Sequence, residues 1–172
     1  MAVPPRSQPE YKREIPHGGN TALMFAARGG ALATARVLVA AGANVDDTDA
    51  WGVSATTVAT HAGFTDVVEL LLEAGADANA AEPVHGQTAL MWAAGEGHTE
   101  VARLLVAGGA DVQVRTTGGY TALLIAARTD APGLAGLFLD AGADVNAVNE
   151  ADFTALHGAT FRGLNEVVEY LV

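Results

Sequence analysis

The residues best suited to chemistry in this chain are the acidic run Asp46-Asp47-Thr48-Asp49 and five histidines, His17, His61, His85, His98 and His157. Alternating oxygen donors of this kind build calcium loops, which close with a bidentate glutamate near their end. Here Trp51 falls in a ligand slot and Val58 stands where that glutamate belongs, so the run reads as the acidic tip of a hairpin. The histidines show neither His-x3-His nor His-Glu-x-x-His spacing. Cysteine is absent, which removes thiolate nucleophiles, disulfides and thiolate metal sites together. The chain also lacks a Gly-x-Ser-x-Gly elbow, a phosphate loop and a dinucleotide fingerprint. Its carboxylates fall mainly on loops and outward helix positions instead of converging in pairs. No enzyme activity, catalytic residue, metal site or cofactor is therefore expected.

What the spacing does build is a repeat. Gly19-Asn20-Thr21-Ala22-Leu23, Gly52-Val53-Ser54-Ala55-Thr56, Gly86-Gln87-Thr88-Ala89-Leu90, Gly119-Tyr120-Thr121-Ala122-Leu123 and Asp152-Phe153-Thr154-Ala155-Leu156 recur in steps of 33, 34, 33 and 33 residues. Gly42-Ala43-Asn44, Gly75-Ala76-Asp77, Gly109-Ala110-Asp111 and Gly142-Ala143-Asp144 keep step with them. Such a period marks a stacked solenoid, in which each unit buries its apolar face against its neighbours. Within one unit, Thr88 is placed to cap a first helix through Leu90, Trp92, Ala93 and Ala94, which Gly97 ends. A second helix from Glu100 to about Ala107 sets Val101, Leu104 and Leu105 on one apolar face. The paired alanines Ala26-Ala27, Ala93-Ala94 and Ala126-Ala127 let neighbouring first helices approach closely. Trp92 is expected in the core, in a slot it shares with Phe25, Val58 and Ile125. Repeat four departs from the pattern: Arg128-Thr129-Asp130-Ala131-Pro132-Gly133 replaces the turn and sets Pro132 at the start of the second helix, where proline is tolerated.

The openings, the paired alanines, Gly97-His98, Leu104-Leu105 and the closing Asp144-Val145-Asn146-Ala147 resemble the ankyrin-repeat family over about residues 17–172. The resemblance implies an all-α repeat solenoid of stacked helix-turn-helix units joined by short β-hairpin loops. Its repeats fall at about 17–48, 49–82, 83–115, 116–148 and 149–172, after a proline-rich extended arm over 1–16. Ala replaces the family's proline in every opening, and Met24, Thr57, Met91 and Leu124 stand where the family usually has histidine, leaving His157. His98 matches the family's structural histidine.

The family's members meet protein partners on hairpin tips and first-helix ends along the concave side, so the resemblance implies a non-enzymatic interaction scaffold. Carried onto this chain, that surface offers Arg28, Trp51, His61, His85, Tyr120, Arg128, Phe153, Phe161 and Arg162 as partner-binding residues, with His17 and Gly18 in equivalent slots. It is richer in aromatic and arginine side chains than the whole chain, which is 6% aromatic, and those side chains dominate binding energy. Trp51, Tyr120 and Phe153 either brace adjacent hairpins or recognise a partner, and both readings stay open. Arg28, Arg128 and Arg162 suit an acidic or phosphorylated partner segment.

The formal charge of −11, with Lys12 the single lysine, argues against nucleic acid and anionic membranes as partners. No apolar run approaches the ~18–20 residues that span a bilayer, and residues 1–16 lack the apolar middle of a secretory signal. A soluble, cytoplasmic protein is expected, a signal peptide removed beforehand being compatible with the same sequence. Abundant alanine and an excess of arginine over lysine point to a bacterium. A monomer is expected. The chain stops at Tyr170-Leu171-Val172 inside a second helix, so the natural protein is expected to continue; the alternative to a monomer is a dimer through that apolar end. Two functions follow. One is a scaffold that binds a protein or peptide across repeats two to four through Trp51, His85, Tyr120 and Arg128. The other is a regulatory or targeting segment of a larger enzyme or receptor, docking on a neighbouring domain of the same polypeptide.

Overall fold

Each first helix starts where a hydroxyl stands. Thr21, Ser54, Thr88, Thr121 and Thr154 accept hydrogen bonds from the amides of Met24, Thr57, Met91, Leu124 and His157 at 3.2, 3.2, 3.4, 3.3 and 3.3 Å. Each thereby satisfies one of the amides that a helix start leaves unpaired. The structure, a computed structural model, describes residues 19–172, so the arm over 1–16 and the slots of His17 and Gly18 lie outside the described residues.

Among the described residues the helices come in pairs: α1 (Ala22–Arg28) with α2 (Leu32–Ala40), α3 (Ala55–Ala62) with α4 (Thr65–Glu73), and α5 (Ala89–Glu96) with α6 (Thr99–Ala107). α7 (Ala122–Ala126) with α8 (Pro132–Asp140) and α9 (Ala155–Arg162) with α10 (Asn165–Leu171) complete the series. First helices pack in the order α1, α3, α5, α7, α9 and second helices in the order α2, α4, α6, α8, α10, which makes a solenoid of two helical layers. The expected hairpins reduce to isolated antiparallel bridges, Thr48 with Ser54 and Ala81 with Thr88.

Between the helices of a pair, Gly30, Gly63, Gly97 and Gly163 take left-handed φ of 62–76°, a region costly for other residues. The residue two positions on, Leu32, Thr65, Thr99 or Asn165, donates its amide to that glycine's carbonyl at 2.9–3.1 Å. Repeat four can do neither. Asp130 replaces the glycine and stays out of the left-handed region, and Pro132 has no amide hydrogen to donate. α7 therefore stops after five residues, against seven or eight in the other first helices. Thr129 Oγ1 donates to the carbonyl of Ala126 at 2.8 Å, and Pro132 opens α8.

The core lies between the layers. Ala27, Ala59, Ala93, Ala94, Ala126 and Ala159 in the first helices and Ala127 just after α7 are fully buried, and Val67, Leu71, Val101, Leu105, Leu134, Phe138 and Val167 meet them from the second helices. Two expectations need correction. The buried face of α6 is Val101, Ala102 and Leu105, with Leu104 only partly buried, because α4 and α8 flank α6 and rotate the covered face toward them. The slot of Phe25, Val58, Trp92 and Ile125 lies at the margin of the core, with Val58 and Ile125 packed against it. It faces the concave edge, where no second helix covers it, so Phe25 is 63% exposed and the other three are partly buried.

Polar side chains tie each hairpin to the next. Asp46 Oδ1 accepts the Asp77 amide at 2.9 Å, Asn79 Oδ1 accepts the Asp111 amide at 2.7 Å, and Asn79 Nδ2 donates to the Gly109 carbonyl at 2.9 Å. Gln113 Nε2 donates to the Gly142 carbonyl at 2.6 Å. The acidic run is thus explained by structure: Asp46 holds the next repeat, Asp47 accepts from Asn44 Nδ2 at 2.7 Å, and Asp49 closes its own hairpin.

Candidate partner-binding surface

The tips that present the candidate residues are braced from within by one acceptor side chain per hairpin, at equivalent positions 49, 82, 116 and 149. Asp49 Oδ1 accepts the amides of Trp51 and Val53 at 2.9 and 3.0 Å. Thr116 Oγ1 accepts the Tyr120 amide at 3.0 Å, and Asn149 Oδ1 accepts those of Ala151 and Phe153 at 2.9 and 3.0 Å. Glu82 is the most heavily used: its carboxylate accepts the amides of Val84, His85 and Gln87 at 2.8, 2.8 and 3.1 Å. Burial pushes the Glu82 carboxyl up, but the hydrogen bonds from Gln87, Val84 and His85 and the charge of the His85 ring outweigh it and hold the group below its usual value. His85 Nδ1 lies 3.6 Å from Glu82 Oε1.

Two grooves lie along the concave edge. The first, of about 570 Å³, runs over repeats three and four and is lined by His85, Gln87, Trp92, Glu96, Tyr120 and Arg128. The second, of about 390 Å³, runs over repeats four and five between Tyr120, Arg128, Phe153, His157, Phe161 and Arg162, with Gly158 also lining it. Tyr120 and Arg128 are common to both and form the wall between them. Six of the nine residues picked out in the sequence thus line grooves: His85, Tyr120, Arg128, Phe153, Phe161 and Arg162.

The other three stand apart. Trp51 is 71% exposed on its hairpin tip and lines neither groove, so the four residues proposed as anchors are not brought together. Arg28 lies 6.0 Å from the centroid of the Phe25 ring and donates to Asn20 Oδ1 at 3.4 Å. His61 sits behind the rim of the first groove, edge-on to Trp92 at 5.0 Å between ring centroids, with Nδ1 3.4 Å from Glu96 Oε1. The grooves therefore centre on repeats three to five instead of two to four.

Sequence reasoning missed Trp92 and Gly158 as groove residues. Trp92 is partly buried against His61, and its Nε1 donor is buried without a partner among the described residues. The signal for Gly158 was available: it occupies the slot that holds Phe25, Val58, Trp92 and Ile125 in the other repeats. Among the described residues no helix is long and apolar enough to cross a membrane, and no group of three or more His, Cys, Asp or Glu could hold a metal ion.

Two layers of paired helices stacked in register, with grooves along one edge, define a helical repeat solenoid. The family model for ankyrin repeats matches residues 7–82, 23–116 and 58–149, and the chain belongs to the ankyrin-repeat family. Over 108 residues it is 34% identical to "Ankyrin repeat and KH domain-containing protein mask-1" of Caenorhabditis elegans, a stretch that covers 62% of this chain and 4% of that protein. Ankyrin repeats are generally protein–protein interaction modules and typically non-catalytic.

Proposed function

We propose that the chain is a non-enzymatic interaction scaffold whose concave edge over repeats three to five receives a protein or peptide partner. The observation that carries this is the pair of grooves meeting at the Tyr120–Arg128 wall, because it presents aromatic and guanidinium side chains that repeat stacking does not consume. Such side chains supply most of the energy of protein interfaces when a partner desolvates them. The Thr116 and Asn149 braces hold the tips in place before a partner arrives, which lowers the ordering cost of association.

Affinity capture from lysate with the wild type, Trp51→Ala and Tyr120→Ala/Arg128→Ala tests the reading. A specific partner is expected with the first two proteins, its affinity falling about tenfold or more in the double variant. Circular dichroism and melting establish that the double variant is folded. A partner held equally by all three proteins removes the grooves as its site.

A further inference from the structure

We infer that the groove of repeats four and five is a receptor for an extended acidic segment of a protein partner. A carboxylate is gripped by Arg128 and Arg162, and a neighbouring apolar side chain rests beside Phe153 and Phe161. The inference rests on the concave-edge reading and adds the chemistry of what binds there.

The groove owes its open floor to Gly158. Repeats one to four fill the equivalent slot with Phe25, Val58, Trp92 and Ile125, whereas repeat five leaves it empty of side chain. A Cβ at position 158 would come 3.2 Å from Arg128 Cγ, so Arg128 lies across α9 in space that any larger residue would contest.

Charge sets the occupant. The chain carries a formal −11, yet this groove is lined by Arg128, Arg162 and His157 and by no carboxylate. Neither arginine has an ion-pair partner among the described residues, where the pairs are His61–Glu96, His85–Glu82 and Arg103–Glu100. His157 Nδ1 accepts the Thr154 amide at 3.1 Å, which leaves Nε2 as the ring nitrogen able to donate. Guanidinium forks match carboxylates in shape as well as charge. Across the wall, the first groove contains Glu96, which disfavours an acidic residue there and so fixes which groove takes it. The remaining acidic surface opposes the polyanionic backbone of nucleic acid.

The apolar part of the ligand is called for by Phe161 and Phe153, which are 88% and 54% exposed and line the same groove as the two arginines. Aromatic side chains clustered in the open beside unpaired arginines are the composition of an interface awaiting a partner.

The test is to pan a phage-displayed library of short random peptides on the wild-type chain, with a control target of known peptide preference alongside. Selected peptides, labelled with a fluorophore, are titrated against the wild type, Gly158→Val, Arg128→Gln/Arg162→Gln and Tyr120→Ala. Circular dichroism and thermal melting of each variant establish that it is folded. The expected peptides pair Asp or Glu with an aromatic or large aliphatic residue, lose about tenfold or more in affinity in the double arginine variant, and weaken with added salt. Changing their acids to amides should cost a similar factor with the wild type and little with the double variant, while Gly158→Val should abolish binding. Peptides blocked by Gly158→Val but without acidic enrichment overturn this inference and leave the concave-edge reading standing. Peptides indifferent to both Gly158→Val and Tyr120→Ala overturn the two together. Failure to select any peptide while the control succeeds overturns the inference and leaves the concave edge to the capture experiment.

Discussion

Glu82 shows how one residue makes a loop depend on pH. Its ordinary partner would be water, yet here three backbone amides surround the carboxylate and hold its titration below the usual value. A depressed folded-state value means that the group stabilises the fold above the unfolded-state titration point, and that this contribution disappears as pH falls through the folded-state point. Glu82→Gln is expected to lower stability by about 1–2 kcal/mol at neutral pH, since the neutral amide accepts more weakly and brings a donor among donors. Thermal melts from pH 7 downward should show the gap between wild type and variant closing below about pH 4.5, the usual value for this group. A gap that stays constant into strong acid would show that the carboxylate's charge contributes nothing to the hairpin.

At the scale of the element, the links between hairpins are unequal. Asn79 both accepts the Asp111 amide and donates to the Gly109 carbonyl, while Asp46 in the equivalent place accepts from Asp77 but has nothing to donate. Asp46→Asn supplies that missing donor for the Gly75 carbonyl and removes a negative charge from an acidic stretch. It is expected to raise stability by about 0.5–1.5 kcal/mol, measured by denaturant unfolding with unchanged slope. The helices themselves were legible in the sequence because their determinants are local: Thr21 and its repeats each bond an amide three residues away, and a left-handed turn selects glycine. Pro132 at the head of α8 was legible for the same reason. The fate of Leu104 and Phe25 was not, because it depends on which neighbouring helices cover a given face, and that is set by stacking rather than by helical period.

For the molecule as a whole, stability is a sum over repeats and their interfaces, so it should vary along the array. α3, α4 and α5 bury five, four and five residues respectively, whereas α2 buries only Ala35, and α9 and α10 bury two each. Hydrogen exchange is expected to find the slowest amides in α3, α4 and α5, with α2, α9 and α10 opening at least about tenfold more often; uniform protection would mean that the array unfolds as one block. The candidate site was partly readable at this scale. Arginine and aromatic residues could be assigned to the concave edge, but which of them share a groove depends on how side chains of successive repeats meet in space, as with Arg128 lying against Gly158. The wall shared by Tyr120 and Arg128 also has a mechanical meaning. Repeats joined face to face are links in series, and tension applied at the two ends would extract them singly, each of about 33 residues adding roughly 110 Å of contour. A ligand lying over that wall would span three links and clamp them, so under load the array would yield first in repeat one, outside the clamp, and release the ligand last.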